Sequence, residues 1–348
     1  MSKLRTAVLG ASGMVGQRFC EMLSGHPFFD VPSIYASERS GGKILSDAIS
    51  IPEPRISDEL LRSRIEPLDT GVIAREKYDA VFSALPSSAA SAVEIEMMSM
   101  GCRIFTNASP NRMRPDVPLV VPEVNHEHLE LVKERKGFIV ANGNCSSIGL
   151  AMGLKPIDSL GLKRVEVTTM QALSGAGYPG VPSMDSAANV LPFIDAEEEK
   201  LAQEIPKMLG SLANGSLRPS GVVVNATCTR VPVRDGHMES VMVETERSPD
   251  AAEVEEMFRS FTSLPQEMSL PTAPSRPVIY RKENNRPQPL LDVNAGSPAR
   301  ARGMAATVGR LRVQPHMVRF MILTHNTIRG AAGGSVLNAE LLHAKGVI

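Results

Sequence analysis

An α/β fold in two parts is what this sequence predicts: a doubly wound parallel sheet up to about residue 145, then an α+β part on longer strands. Three observations predict it. A short apolar strand, Thr6–Leu9, runs straight into the glycine turn G-A-S-G-M-V-G and then into helical periodicity at Val15, Phe19, Met22 and Leu23. Short apolar runs then alternate with helical stretches as far as Val140, the pattern of strands buried on both faces and joined by crossover helices. Beyond residue 160 the pattern changes to alternation of apolar and polar residues, as over 164–173, which reads as a strand covered on one face.

Gly10, Gly13 and Gly16 fall at a G-x-x-G-x-x-G spacing. The first glycine permits a tight turn, and the helix N-terminus behind it can receive a pyrophosphate. Glycine turns join many strands to helices, so the motif gains meaning here from its strand–turn–helix setting, which is Rossmann-like. Gly10, Ser12, Gly13, Met14 and Val15 are therefore assigned to a dinucleotide. The second strand, 31–36, ends in Ser37, Glu38, Arg39 and Ser40, with Lys43 close behind. An acid at this point grips a ribose 2′-hydroxyl, whereas Ser37, Arg39 and Ser40 suit a 2′-phosphate. NADP is the expected cofactor, with Glu38 on a hydroxyl as the alternative.

Residues 47–77 read as surface helices and loops. The buried strand over 80–85 ends at the carboxyl edge, where such sheets hold ligands, so Ser83 and Leu85 join the cofactor set. A strand at Arg103–Thr106 leads into N-A-S-P-N-R-M-R-P, whose Arg112 and Arg114 could hold an anion through paired N–H donors. Next come an apolar stretch at 119–121, a polar helix over 127–135 and a strand over 137–140.

The chain pivots on A-N-G-N-C-S-S-I-G-L. Asn142, Gly143 and Asn144 break the strand; Ser146 and Ser147 favour a helix start; the helix that follows is apolar all round and so buried. A thiol at such an N-terminus meets free N–H groups and the positive end of the helix, which favour a thiolate and can receive an oxyanion. A small core cysteine is the plain alternative, but N-G-N and S-S are poor core material. Cys145 is the candidate nucleophile.

In the second half, Gln171 lies near the end of the alternating strand, positioned to orient a carbonyl, and Gly175 lies in the shaped loop S-G-A-G-Y-P-G. Residues 196–209 form a charged helix in which Glu204 and Lys207 share a face as a salt pair. Strands over 221–230 and 238–245 are joined through V-P-V-R-D-G-H. The Asp235-Gly236 turn puts His237 at the start of the returning strand, not far from Arg230, where a cysteine nucleophile could use it as a base. Residues 263–289 read as a long connection rather than core. Strands over 304–313 and 318–323 follow, then the glycine-rich turn H-N-T-I-R-G-A-A-G-G and a last helix.

A formal net charge of −1 and the absence of tryptophan exclude an electrostatic or base-stacking nucleic-acid surface. No apolar run is long enough for a membrane span. The four cysteines are far apart with no C-x-x-C pair, so neither a metal site nor a disulfide scaffold is expected, and a reducing compartment fits. Met1 and Ser2 lead almost at once into the first strand, leaving no room for a signal peptide; a cytoplasmic enzyme with a small-molecule substrate is the expectation.

In their order and spacing, G-A-S-G-M-V-G, N-C-S-S, S-G-A-G-Y-P-G, C-T-R-V-P-V-R-D-G-H and H-N-T-I-R-G-A-A-G-G resemble the aspartate-β-semialdehyde dehydrogenases of the archaeal and fungal branch, over essentially the whole chain. The resemblance implies a dinucleotide-binding domain at 1–145, completed by a helix at about 326–348. It implies a catalytic and dimerisation domain at 146–325 with a mostly antiparallel sheet, in a homodimer or homotetramer. It makes Cys145 the nucleophile, His237 the acid–base and Gln171 the residue that places the acyl group. Arg230 would bind the substrate α-carboxylate, Arg112 the phosphate, and Glu204 with Lys207 the amino group and phosphate. Asn326 would lie near the nicotinamide. The implied reaction is NADPH-dependent reductive dephosphorylation of L-aspartyl-4-phosphate to L-aspartate 4-semialdehyde through a thioester, a step in making lysine, threonine and methionine. Gly143 departs from the family's frequent N-P-N-C. Two alternatives stand beside this reading: a malonyl-CoA reductase of the same architecture, and a non-catalytic NADP-binding regulator, which would need no nucleophile and base together.

Overall fold

The computed structural model describes residues 3–348, so the expectation drawn from Met1 and Ser2 lies outside the described residues. Six strands, β1 (Thr6–Leu9), β2 (Ser33–Ala36), β3 (Glu66–Pro67), β4 (Ala80–Ser83), β5 (Arg103–Thr106) and β6 (Phe138–Ala141), form a first sheet in the order β3-β2-β1-β4-β5-β6. All its pairs are parallel. Every residue of β1, β4 and β6 is buried, which is why these strands read as unbroken apolar runs. Helices α1 (Met14–Leu23) and α2 (Ser87–Ser99) are among its crossovers. The strand order reverses between β1 and β4, the place where open α/β sheets form a crevice at their carboxyl edge. The turn after β1 fits that place closely: Gly10 has φ +80°, and a Cβ there would lie 2.6 Å from the Ala84 carbonyl oxygen. A Cβ on Gly16 would strike the Gly10 carbonyl, so this glycine lets the helix close onto the turn.

The second sheet runs β10-β7-β11-β14-β13-β12, with a separate small hairpin, β8 (Ser211–Ala213) and β9 (Ser216–Arg218). Its members are β7 (Leu162–Gln171), β10 (Val223–Arg230), β11 (His237–Thr245), β12 (Val278–Arg281), β13 (Ala306–Gln314) and β14 (Met317–Thr324). The central pairs are antiparallel, while β10 on β7 and β12 on β13 are parallel. One face carries Val165, Val167, Val241, Val243, Phe320 and Ile322, all buried. Helices α3 (Cys145–Leu154) and α4 (Glu197–Met208) pack on the sheet here and on each other. The opposite face, with Met170, Met238, Ser240, Met242 and Arg319, is only partly covered.

Two expectations change. Residues 263–289 are not merely a connection, because they contribute edge strand β12, whose four residues are too few to show alternation. The polar helix expected at 127–135 is a 3₁₀ segment, His126–Val132. Helix α5 (Ala251–Ser260) covers β12 and β13, and α6 (Gly333–Ala344) returns to the first sheet, where it packs on α1 and β5 and is buried from Gly333 to Leu342. No helix among the described residues is long and apolar enough to cross a membrane.

Candidate active site

Cys145 is the first residue of α3 and is partly exposed in a groove of about 460 Å³. The helix cap is Asn144, not the two serines expected from the sequence. Its Oδ1 accepts from the N–H of Ser146 (3.0 Å) and of Ser147 (3.4 Å), while the two serine hydroxyls are buried without a partner. These bonds leave the Cys145 N–H outside them as a donor for an oxyanion. Two buried carboxylates lock the cap: Glu204 accepts from the Asn144 N–H at 2.6 Å, and both Glu197 oxygens accept from Asn144 Nδ2 at 2.9 Å. A Cβ on Gly143 would run into the Met208 methyl, so the glycine leaves room for that side chain of α4.

Burial pushes the Cys145 thiol up to about 12 and Glu197 adds to the rise, against downward pulls from Arg112, the Ser146 N–H and Arg230. Burial of the sulfur and the Glu197 charge thus work against the thiolate expected at a helix N-terminus, and the two arginines and the Ser146 N–H work for it.

The buried face of the second sheet ends in a polar row. Arg230 pairs with Gln171, and His237, which pairs with Thr324, stands one residue beyond the Met170–Met238 pair. Gln171 is buried and donates to Glu197 at 3.2 Å. Arg230 Nη1 donates to the Ala172 carbonyl at 2.8 Å, and the Ala172 N–H donates to His237 Nδ1 at 3.0 Å. His237 Nε2 has no hydrogen-bond partner among the described residues. Burial, then Arg230 and His325, push this imidazole down to about 3. A Cβ on Gly175 would come within 2.8–3.0 Å of Arg230 Nη1 and His237, so the S-G-A-G loop closes directly over both.

On the opposite wall, Arg112 donates to Glu204 at 2.9 Å and to the Asn107 carbonyl at 2.7 Å, and its Nε is unpartnered. The expected Glu204–Lys207 salt pair does not form. Lys207 Nζ instead donates to the carbonyls of Arg112, Arg114 and Val117 at 2.6, 2.8 and 2.9 Å. All three of its donors are thus committed to the main chain, and burial pushes the ammonium down to about 8. In this arrangement Lys207 braces the Arg112 loop rather than facing the groove. Arg114 pairs with Asp116 at 2.9 Å, away from the site.

Met14, Val15, Leu85, Gly175 and Asn326 line the groove with Cys145 and Arg112. Asn326 accepts from the Gly236 N–H (2.9 Å) and donates to Ser174 (2.7 Å), joining the turn before His237 to the S-G-A-G loop. Gly10, Ser12 and Gly13 form the turn leading in. Ser37, Arg39 and Ser40 occupy the neighbouring turn, tied to it because the Gly10 and Ala11 N–H groups donate to Tyr35 at the end of β2. Ser83 is not on the groove; it is fully buried and its hydroxyl donates to Glu94 at 2.7 Å.

Several residues of the site escaped the sequence reading. Burial alone would raise the Glu197 carboxyl, but Lys200, Asn144 and Gln171 hold it below the usual range; in the sequence it was one of three glutamates in a charged run. Glu239, two residues along β11 from His237, is fully buried with neither oxygen bonded, and burial pushes it well above the usual carboxylate range. Gly330 packs against Cys145, where a Cβ would lie 2.7 Å from the cysteine Cβ. Beside it, Arg329 forms a fully buried two-bond ion pair with Glu123, at 2.9 and 2.5 Å.

Comparison with known proteins bears on the family and the fold. Residues 5–132 match the semialdehyde dehydrogenase NAD-binding domain, and residues 154–329 match the semialdehyde dehydrogenase dimerisation domain. An aspartate-semialdehyde dehydrogenase of Archaeoglobus fulgidus is 46% identical over 98% of each chain. A malonyl-CoA reductase (NADP) of Metallosphaera sedula is 37% identical over 99% of this chain and 98% of its own. The structure of the Candida albicans aspartate-semialdehyde dehydrogenase with NADP superposes with a TM-score of 0.88, at 34% identity, over the full length of both chains.

Proposed function

The chain belongs to the semialdehyde dehydrogenase family, and from that premise we propose that it reduces L-aspartyl-4-phosphate to L-aspartate 4-semialdehyde with NADPH, in aspartate-family amino-acid biosynthesis. The observation that carries this reading is the placing of Cys145 within the fields of two buried arginines, Arg112 and Arg230, with His237 against the second. A substrate with an anion at each end and a reactive carbonyl between would pair with two such cations. Arg230 would hold the α-carboxylate and Arg112 the phosphoryl end, and the open Cys145 N–H would meet the oxyanion as sulfur adds to the carbonyl. Gln171, tied to Glu197, would orient the acyl group, and His237 would present Nε2–H to the reacting oxygen. The product of this first half is a thioester on Cys145.

The residues fit NADP. Helix α1 starts at Gly13 without a side-chain cap, so its first N–H groups are open to a pyrophosphate. Gly10 and Gly16 bring main chain, not side chain, to that point, and exposed Arg39 stands beside Ser37 and Ser40 for a 2′-phosphate. When bound, NADPH supplies the hydride that turns the thioester into the aldehyde. Met14, Val15, Leu85 and Asn326 would hold it against the thioester.

The division at residue 145, with α6 completing the first unit, is part of this reading. So is a homodimer formed through the methionine-rich face of the second sheet, or a tetramer of such dimers, working in the cytoplasm. Methionines suit such a face because they adapt to an opposing surface. The test is one assay offering aspartyl phosphate and malonyl-CoA to the same preparation. Turnover of the acyl phosphate alone is expected; preferential turnover of malonyl-CoA would overturn the assignment. The reverse reaction, NADP reduction by aspartate semialdehyde, should depend on added phosphate.

A further inference from the structure

We infer that a cavity separated from the groove by residues 325–328 is a second ligand site, which takes a zwitterionic α-amino acid with an apolar side chain and is coupled to the groove through that shared wall. It is independent of which acyl donor the groove accepts.

The cavity measures about 680 Å³, against about 460 Å³ for the groove, and lies within the range of small-molecule sites. It forms where α1 meets the turn over 233–235 and the segment over 288–294. Two of its lining side chains, Arg18 and His325, are more than nine-tenths buried and meet at Thr327. Arg18 Nε donates to Thr327 Oγ1 at 3.3 Å, and His325 Nδ1 lies 3.5 Å from the same oxygen. Arg18 Nη1 donates to Glu21 at 2.6 Å, while Nη2 makes no hydrogen bond among the described residues. A guanidinium edge left open in so buried a side chain calls for an acceptor from outside the chain. Seven charged side chains line the cavity, and most of them cancel within the protein. Arg18 pairs with Glu21, Arg55 lies 4.0 Å from the same carboxylate, and Arg234 pairs with Asp235 at 3.1 Å. The side chains of Arg302 and Glu53 have no ion-pair or hydrogen-bond partner among the described residues, which leaves one cation and one anion on the same space. Glu53 also holds φ +47°, an uncommon conformation for a residue with a Cβ. The rest of the lining is apolar, with Val233, Pro289, Leu290, Val293 and Ile328. A carboxylate for Arg302 and the open edge of Arg18, an ammonium for Glu53 and an apolar side chain for the remainder together describe an α-amino acid. A simple anion would leave Glu53 unmatched, and an apolar ligand would leave both charges so.

The wall between the two spaces is one strand of chain thick. His325 and Ile328 line the cavity, and Asn326 and Thr327 line the groove. Asn326 accepts from the Gly236 N–H at 2.9 Å and donates to Ser174 at 2.7 Å, so it fixes both loops beside the groove. Gly236 in turn packs on the cavity, where its Cβ would lie 3.0 Å from Val293. A ligand touching Val293, Asp235 or His325 therefore touches the immediate neighbours of Asn326. An occupant that favours one setting of this wall changes affinity on its other side, and by reciprocity the groove's occupant changes affinity for the amino acid by the same factor.

The experiment is calorimetric titration of the full chain with L-methionine, with and without saturating NADP. Saturable binding is expected, and L-methioninol, N-acetyl-L-methionine and glycine should each bind at least about tenfold more weakly, because they lack the carboxylate, the ammonium and the side chain in turn. Arg302→Gln and Glu53→Gln alter exposed side chains and should keep the fold. Each should weaken methionine binding at least about tenfold while turnover without methionine stays within about twofold of wild type. NADP should change the methionine dissociation constant at least about threefold, and methionine should change that of NADP by the same factor. No binding up to about 50 mM methionine would overturn the site. So would binding that both variants retain, or that aspartate semialdehyde displaces competitively, since either puts the amino acid elsewhere. A raised dimer dissociation constant in the two variants would make the cavity a contact between subunits and overturn it equally. Methionine affinity unchanged by NADP would overturn the coupling.

Discussion

In the first sheet, β1, β4 and β6 bury every residue, whereas the long strands of the second sheet bury every other one. With both faces covered, the first sheet has no strand side chain to offer a ligand, so its contacts come from the turns at its carboxyl edge. The second sheet keeps one covered face, whose row ends in the buried Arg230, Gln171 and His237, and the Gly175 loop that lines the groove closes over Arg230 and His237. On the proposed function, one sheet would bind with main chain and the other would react with side chains. Substitutions at the turns should move affinity for the cofactor, and those in the row should move the chemistry.

The sharpest test of that contrast is Cys145→Ala, which should lower turnover at least about ten-thousand-fold while leaving NADPH binding intact. Rates near wild type would send attention to Cys20, Cys102 and Cys228. Arg230→Lys keeps the charge but loses the planar fork that holds Ala172 and, on the proposed function, would hold a carboxylate. It should cost about 2–4 kcal/mol, or about thirty- to a thousand-fold in kcat/KM with aspartate semialdehyde. A near-normal variant would take Arg230 out of the site. On the open face, Met242→Glu would place one carboxylate in each half of a symmetric contact and should raise the dimer dissociation constant at least about a hundred-fold by sedimentation. An unchanged constant would move the interface elsewhere. Arg39→Ala belongs to the turns, and should raise KM for NADP about ten- to thirty-fold with little change for NAD. An equal effect on both would make Arg39 a bystander.

The smallest effect is on acid stability. His237 and His325 are buried neutral, pushed down to about 3 and about 4 from an ordinary 6.5, chiefly by burial. Below about pH 6.5 the unfolded chain binds these protons and the folded chain does not, so stability falls as pH falls through that window. His325→Gln should make the slope shallower by about 1.4 kcal/mol per pH unit in denaturant titrations at about pH 5. An unchanged slope would mean that His325 is protonated in the folded protein.

The fold was legible wherever a pattern repeated. Glycine turns, unbroken apolar runs and alternation each report which faces of a strand are covered. Strand β12 was not, because four residues between proline-rich and charged neighbours carry no period. Cys145 stood out by contrast with its flanks, and Asn144 did not, since its capping role depends on two carboxylates more than fifty positions away. Glu204 and Lys207 show the limit more plainly. Spacing put them on one face, but Arg112, nearly a hundred positions earlier, claims the carboxylate, and three main-chain carbonyls claim the ammonium. Helical spacing reports neighbours on one element, and buried charges choose partners from whatever packs against it.

The ion pair between Glu123 and Arg329 has a consequence for how this sequence can drift. Both side chains are fully buried, and the arginine sits next to the glycine that covers Cys145. Removing either partner alone strands a charge in the core, a loss of about 3–5 kcal/mol, comparable to much of a domain's stability. Replacing both with apolar residues that fill the space can be nearly neutral. The two end points are thus accessible and the single steps between them are not. Positions 123 and 329 are free to change only as a couple, and lineages should divide into those that keep the pair and those that lack both members.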